Sequence, residues 1–134
     1  SRRNPLDNFI SAFQNRMSAT HGYAYDQVDY GKYYLEYSRI MDHWKTVFPG
    51  SIYESQYEKL TQNPEAEVRK LLEFLGLPWE EACLSFHDRQ STVKTFSQLQ
   101  VRNPINTGSI ARWHNYEKHL SPIINVFKQA GVEC

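Results

Sequence analysis

Glycine is scarce and scattered in this sequence: there are six in 134 residues, and no run of them could wrap backbone N–H groups around a phosphate. Cysteine is scarcer still. Cys83 and Cys134 are the only pair, and they make no metal-ligand spacing. So few thiols suit a reducing compartment, which is expected to be the cytoplasm. An excess of one charge is missing too. Fifteen basic residues face fifteen acidic ones, which argues against a general nucleic-acid-binding surface and leaves room for a local basic pocket. No apolar run approaches the ~18 residues a membrane span needs, and no signal-like stretch opens the chain.

What is present is a well-stocked core. Hydrophobic residues make up 40% of the chain and aromatics 14%, enough for a single packed domain over residues 1–134. The segment Arg2-Arg3-Asn4-Pro5-Leu6-Asp7-Asn8-Phe9-Ile10-Ser11 organises the reading. Pro5 disfavours a helical Asn4 and suits a first helical turn, so a helix begins near Pro5 to Asp7. Asp7 then meets the positive end of the helix dipole, and Phe9, Ile10 and Phe13 supply a buried stripe. Arg3 lies just before this helix, and Ser11 falls one turn beyond Asp7 on the same side. A planar guanidinium fork with a hydroxyl nearby is a natural grip for an anion.

Residues 18–26 read as a loop, in which His21 beside Gly22 is a candidate base that is more often a solvent-facing or hydrogen-bonding residue, without an assigned role. From Tyr30 to Phe48 the helical period is strong, and Tyr34, Tyr37, Met41, Trp44 and Phe48 form an aromatic stripe read as core. Pro49-Gly50 ends it. Ser51 to Tyr57 alternates as a strand would. Asn63-Pro64-Glu65 starts a further helix with Val68, Leu71, Leu72 and Leu75 as its buried stripe, stopped by Gly76. A short helix follows from Trp79, with Ala82, Cys83 and Phe86 inward. Residues 88–106 have no sustained period and are too long for an ordinary connection. Their cations and hydroxyls suit a loop that encloses a phosphate or sulfate. Gly108-Ser109 opens a short helix with Ser109 as its cap, and Ser121-Pro122 starts a last one that buries Ile123, Ile124 and Phe127.

Arg3-Asn4-Pro5-x-Asp7 followed by Ser11 resembles the 3′-phosphate-binding segment of the sulfotransferases that use 3′-phosphoadenosine 5′-phosphosulfate (PAPS). The likeness continues in order along the chain, from Arg2 to about Phe127. His21-Gly22-Tyr23-Ala24-Tyr25-Asp26 is similar to a segment of bacterial members. Tyr57-Glu58-Lys59-Leu60 resembles a Tyr-Glu-Asp-Leu-like element whose Tyr helps hold the nucleotide, with Lys59 where an acid is common. The block from Asn63 to His87 resembles family scaffold. Thr95-Phe96-Ser97 and Gln100 to Ile105 resemble the donor-covering loop, which ends before Ser109 and Arg112-Trp113-x-x-Tyr116. The likeness is greatest to the C-terminal half of bacterial sulfotransferases joined to helical repeats, and fainter to tyrosylprotein sulfotransferases.

That resemblance implies an α/β P-loop-like sulfotransferase fold, represented here by its C-terminal half, mostly helical with about one strand. It implies PAPS as co-substrate, no metal, and a hydroxyl or amine acceptor of unknown identity. Arg3 and Ser11 would hold the 3′-phosphate, Tyr57 the nucleoside side, and Thr95, Ser97 and Arg102 would close over the donor, with Ser97 the candidate for a catalytic contact. One family feature is absent: the glycine- and Thr/Ser-containing loop for the 5′-phosphosulfate precedes the Arg segment, and the general base commonly lies upstream as well. The chain opens on Ser1, not Met, as a fragment would, so the missing N-terminal part of the same protein is an expected partner and the piece alone is expected to be nearly inactive. Two other readings stay open. One is a helical interaction module with no nucleotide site. The other is a P-loop kinase fragment, which would need ATP, Mg²⁺ and a metal-binding Asp near a strand end.

Overall fold

The computed structural model describes residues 1–15, 19–85 and 105–132, and it divides into two compact units. One comprises Ser1–Arg2 with Tyr53–Gly108. The other comprises Arg3–Ile52 with Ser109–Cys134.

The second unit opens with α1 (Pro5–Gln14). Asn4 caps it: its side-chain oxygen accepts from Leu6 N at 3.0 Å and Asp7 N at 3.2 Å, while Pro5 fills the first turn, where no N–H is needed. Leu6, Phe9 and Ile10 are buried as the period requires, but Phe13 is 48% exposed and leaves the stripe. The segment expected to be a loop is a 3₁₀ helix, Ala19–Tyr25, kinked at His21. Next comes α2 (Gln27–Val47), capped by Asp26, whose carboxylate accepts from Val28 N and Asp29 N. A second 3₁₀ helix, Arg112–His119, leads into the last helix of the chain at Ser121. It does not start as expected: Ala111 stands at its head with φ 55°, and no side chain caps it, Ser109 included.

Leu6, Phe9, Ile10, Tyr30, Tyr34, Leu120, Ile123 and Phe127 make one core cluster, each large side chain contributing roughly 1.5–3 kcal/mol by leaving water. Trp113 and Tyr116 pack against it half-buried. The aromatic stripe of α2 joins this core only in its first half. Tyr34 is buried, whereas Trp44 is 42% and Phe48 50% exposed. The reason is length: the helix outruns the elements it packs on, so the same periodic face is covered at one end and bare at the other.

The first unit holds α3 (Tyr57–Gln62), α4 (Pro64–Leu75) and a 3₁₀ turn, Glu81–Cys83. Asn63 caps α4 through Ala66 N, and Gly76 ends it in the left-handed conformation at φ 66°. Arg69 lies over the Trp79 ring at 3.8 Å. The expected buried stripe does not form. Val68, Leu71 and Leu72 are half-buried and Leu75 is exposed. The helix from Trp79 is reduced to that one turn, Cys83 is a half-buried free thiol, and Phe86 lies outside the described residues.

The fold class needs correction. Among the described residues there is no strand and no sheet, so the α/β P-loop-like architecture is not what this chain displays. Residues 51–55 are irregular, and Gln56 makes an isolated parallel bridge to Arg2, with Arg2 N donating to Ser55 O at 2.7 Å and Tyr57 N to Arg2 O at 2.8 Å. Alternation marks a segment that could pair, but a strand exists only where a ladder runs alongside it, and Arg2 offers a single rung. Among the described residues no helix is long and apolar enough to cross a membrane.

α5 (Ser121–Gln129) closes the second unit against α2. Gly31 permits that approach: a Cβ there would sit 2.9 Å from Val126 Cγ1.

Candidate functional site

The residues read as an anion grip lie at the start of the second unit. Arg3 is partly buried, and its Nη2 donates to the Ser109 carbonyl at 2.7 Å. A guanidinium carries its donors in a rigid plane, so tying one of them down sets the direction of the others. The positive charge also registers nearby. Burial, with smaller contributions from Tyr34 and Tyr23, pushes the Tyr30 hydroxyl pKa well above its usual value, and the Arg3 charge opposes that rise. Arg3 therefore sits within electrostatic reach of a buried phenol, in surroundings where a charge acts more strongly than in water.

Ser11 lies half-buried on α1, and its carbonyl and hydroxyl both receive the Asn15 side-chain amide, at 2.8 and 3.4 Å. Arg3 and Ser11 belong to the same unit. Tyr57 belongs to the other, where it opens α3 half-buried and its carbonyl accepts from Thr61 Oγ1 at 3.0 Å. Thr95, Ser97 and Arg102 lie outside the described residues.

Sequence reading missed what Asp7 does. It stands in the first turn, where the helix dipole favours an acid, and it is also 1% exposed, which the dipole argument does not require. Its Oδ2 accepts from Ala111 N at 2.7 Å and its Oδ1 from Trp113 N at 2.9 Å. One carboxylate thus holds two backbone donors from a segment a hundred residues further along the chain. A buried acid needs such partners, since an unpaired charge away from water costs several kcal/mol or shifts to its neutral form. The signal was available: Asp7 follows Leu6 and lies three residues before Ile10, at the edge of the apolar face of α1, where an acid is out of place unless something engages it. The Ser109 carbonyl was equally unforeseen, because backbone acceptors leave no mark in a sequence.

The aromatic rings beside this segment form a continuous set. Phe9 meets Tyr30 edge-on at 5.1 Å, Tyr23 stacks on Tyr33 at 3.9 Å, and His21 contacts Tyr23 at 5.9 Å. Among the described residues no three His, Cys, Asp or Glu gather closely enough to hold a metal ion.

Residues 1–81 match the Sulfotransferase family. Across nearly the whole length, the chain is 40% identical over 131 residues to an uncharacterised protein of Aquifex aeolicus (strain VF5), covering 96% of this chain and 17% of that protein. A putative protein-tyrosine sulfotransferase of Caenorhabditis briggsae is 33% identical over 70 residues, covering 48% of this chain and 25% of its own length. Protein-tyrosine sulfotransferase A of Caenorhabditis elegans is 30% identical over 81 residues, 55% of this chain and 21% of its own. The chain thus spans about a quarter or less of each of these relatives.

Proposed function

This chain belongs to the sulfotransferase family, and from that membership we propose that it supplies the donor-gripping part of a protein that transfers a sulfuryl group from PAPS to a hydroxyl or amine. In such a transfer the acceptor oxygen or nitrogen bonds to sulfur as the bond from sulfur to the bridging phosphate oxygen breaks. Adenosine 3′,5′-bisphosphate leaves with the electron pair, and the acceptor proton passes to a base. Catalysis rests on alignment and on stabilising the charge that spreads over the transferring group, as in phosphoryl transfer. Arg3 and Ser11 hold the ribose 3′-phosphate. The family resemblance gives Tyr57 the nucleoside side and Thr95, Ser97 and Arg102 the covering of the donor. A protein tyrosine is the acceptor suggested by the names of the two nematode relatives.

The observation that carries this reading is the fixed Arg3 guanidinium within the matched residues, held by Ser109 O at 2.7 Å on a half-buried segment whose helix bears Ser11. A preset fork of donors favours a doubly charged phosphate over water, because little rotamer freedom is lost on binding.

The test is nucleotide-dependent thermal stabilisation. A ligand that binds only the folded state adds about 2.7 kcal/mol at a hundredfold excess over its Kd. Adenosine 3′,5′-bisphosphate should raise the melting temperature more than adenosine 5′-monophosphate does. Arg3→Ala should abolish most of that preference, a loss of roughly 1.5–3 kcal/mol for a charged hydrogen bond. If the variant still favours the 3′-phosphorylated nucleotide as strongly as the parent does, Arg3 is not the grip. No shift with either nucleotide would leave a helical interaction module, and a shift reserved for ATP with Mg²⁺ would leave a kinase.

A further inference from the structure

We propose that Asp7 is a positioning residue for the 3′-phosphate grip, acting on Arg3 through the turn at residues 109–113; this rests on the reading of Arg3 given above.

Arg3 lies just before α1 and Asp7 in its first turn, and both reach the same distant turn by opposite chemistry. Arg3 Nη2 donates to the carbonyl of Ser109 at 2.7 Å. Asp7 accepts from the N–H groups of Ala111 at 2.7 Å and Trp113 at 2.9 Å. Between these contacts Ala111 adopts φ 55° and ψ 21° and is, among the described residues, the single non-glycine with positive φ. A left-handed alanine is strained and persists only where its surroundings fix it. The buried carboxylate is placed to do that fixing, since it grips the alanine's own N–H and the N–H two residues on. The Ile110–Ala111 peptide it holds adjoins the Ser109–Ile110 peptide, whose carbonyl accepts from Arg3, so fixing the one restrains the direction of the other. Hydrophobic packing alone gives no reason for a buried acid here, because an apolar residue of similar size would avoid the cost of desolvating a charge. What a carboxylate adds is two fixed directions, and these determine the position of the acceptor that orients the guanidinium.

The consequence is a coupling between Asp7 and Arg3 that reads out in ligand discrimination. The experiment measures, on the whole chain by calorimetry, the ratio of affinities for adenosine 3′,5′-bisphosphate and adenosine 5′-monophosphate. Asp7→Asn keeps the size of the side chain but replaces one acceptor oxygen by a donor, so one of the two backbone bonds must go. The ratio should fall about tenfold in Asp7→Asn and change less than about twofold when the same substitution is made in Arg3→Ala, the non-additivity expected of residues acting through one contact. Ala111→Gly separates positioning from folding, because glycine adopts the left-handed turn without strain. Combined with Asp7→Asn it should restore thermal stability and leave the ratio low.

Three results would overturn the proposal: a folded Asp7→Asn with the parental ratio, an equal loss in the Arg3→Ala background, or recovery of the ratio along with stability in the Ala111→Gly combination. Failure of both Asp7 variants to fold would also overturn it, by making the acid a requirement of the fold itself. Should Arg3→Ala leave the ratio untouched, the donor-grip reading falls instead. That outcome is visible in the single variant before Asp7 is altered.

Discussion

Tyr30 and its neighbour Gly31 are each set by what lies against them. Tyr30 is buried among rings, and that burial favours the neutral phenol. The sign follows directly. Below about pH 10 the hydroxyl is neutral folded or unfolded and contributes nothing to pH dependence; above it, the unfolded chain ionises first and stability falls as pH rises. Tyr30→Phe removes that liability. In denaturant titrations at pH 8 and pH 11 the variant should gain on the parent by up to about 1.4 kcal/mol per pH unit above 10; a constant difference across that range would mean the phenol is solvated. At Gly31 the added methyl of Ala would meet Val126 Cγ1 at 2.9 Å and Val126 Cβ at 3.1 Å. Overpacking costs about 1–3 kcal/mol, more than the ~1 kcal/mol that alanine gains in helix propensity. Gly31→Ala should therefore destabilise, and Val126→Ala in the same chain should recover part of the loss in urea unfolding.

Helices start in this chain where side chains can satisfy their first N–H groups. Asn4, Asp26 and Asn63 each cap a helix, with Pro5 and Pro64 in the next position for α1 and α4. Asn4→Ala should cost about 1 kcal/mol, measurable by chemical denaturation, because Leu6 and Asp7 lose their acceptor. The far end of α2 behaves differently. Trp44 stacks on Phe48 at 5.7 Å, yet both are substantially exposed. Replacing either by Gln should change stability by less than about 1 kcal/mol, whereas Phe127→Ala, fully buried against Tyr34, should cost about 3–5 kcal/mol. Equal losses at both places would show that the stripe is covered along its whole length.

At the scale of the molecule, burial is unevenly shared. Among the described residues every buried position falls in the unit of Arg3–Ile52 and Ser109–Cys134, while α3 and α4 hold no buried residue. Few buried apolar contacts mean low local stability. Hydrogen exchange should be slowest in α1, the first half of α2 and α5, and faster in α3 and α4. Comparable protection throughout would contradict that ordering.

Sequence by itself determined the local features. Pro5, Asn63, Gly76 and the 3.6-residue period placed α1, α2, α4 and α5, because caps, breakers and helical faces act within a turn or two. It also carried the likeness by which the chain joins its family, from Arg3 and Ser11 onward. Only the tertiary structure decided how far each apolar face is covered, that the alternating residues 51–57 gain a single bridge in place of a strand, and that Asp7 is buried to hold Ala111 and Trp113. Those outcomes depend on which distant residues arrive at a given face. Periodicity shows that a face is apolar, and an acid in the sequence shows its charge, but neither specifies the partner that meets it.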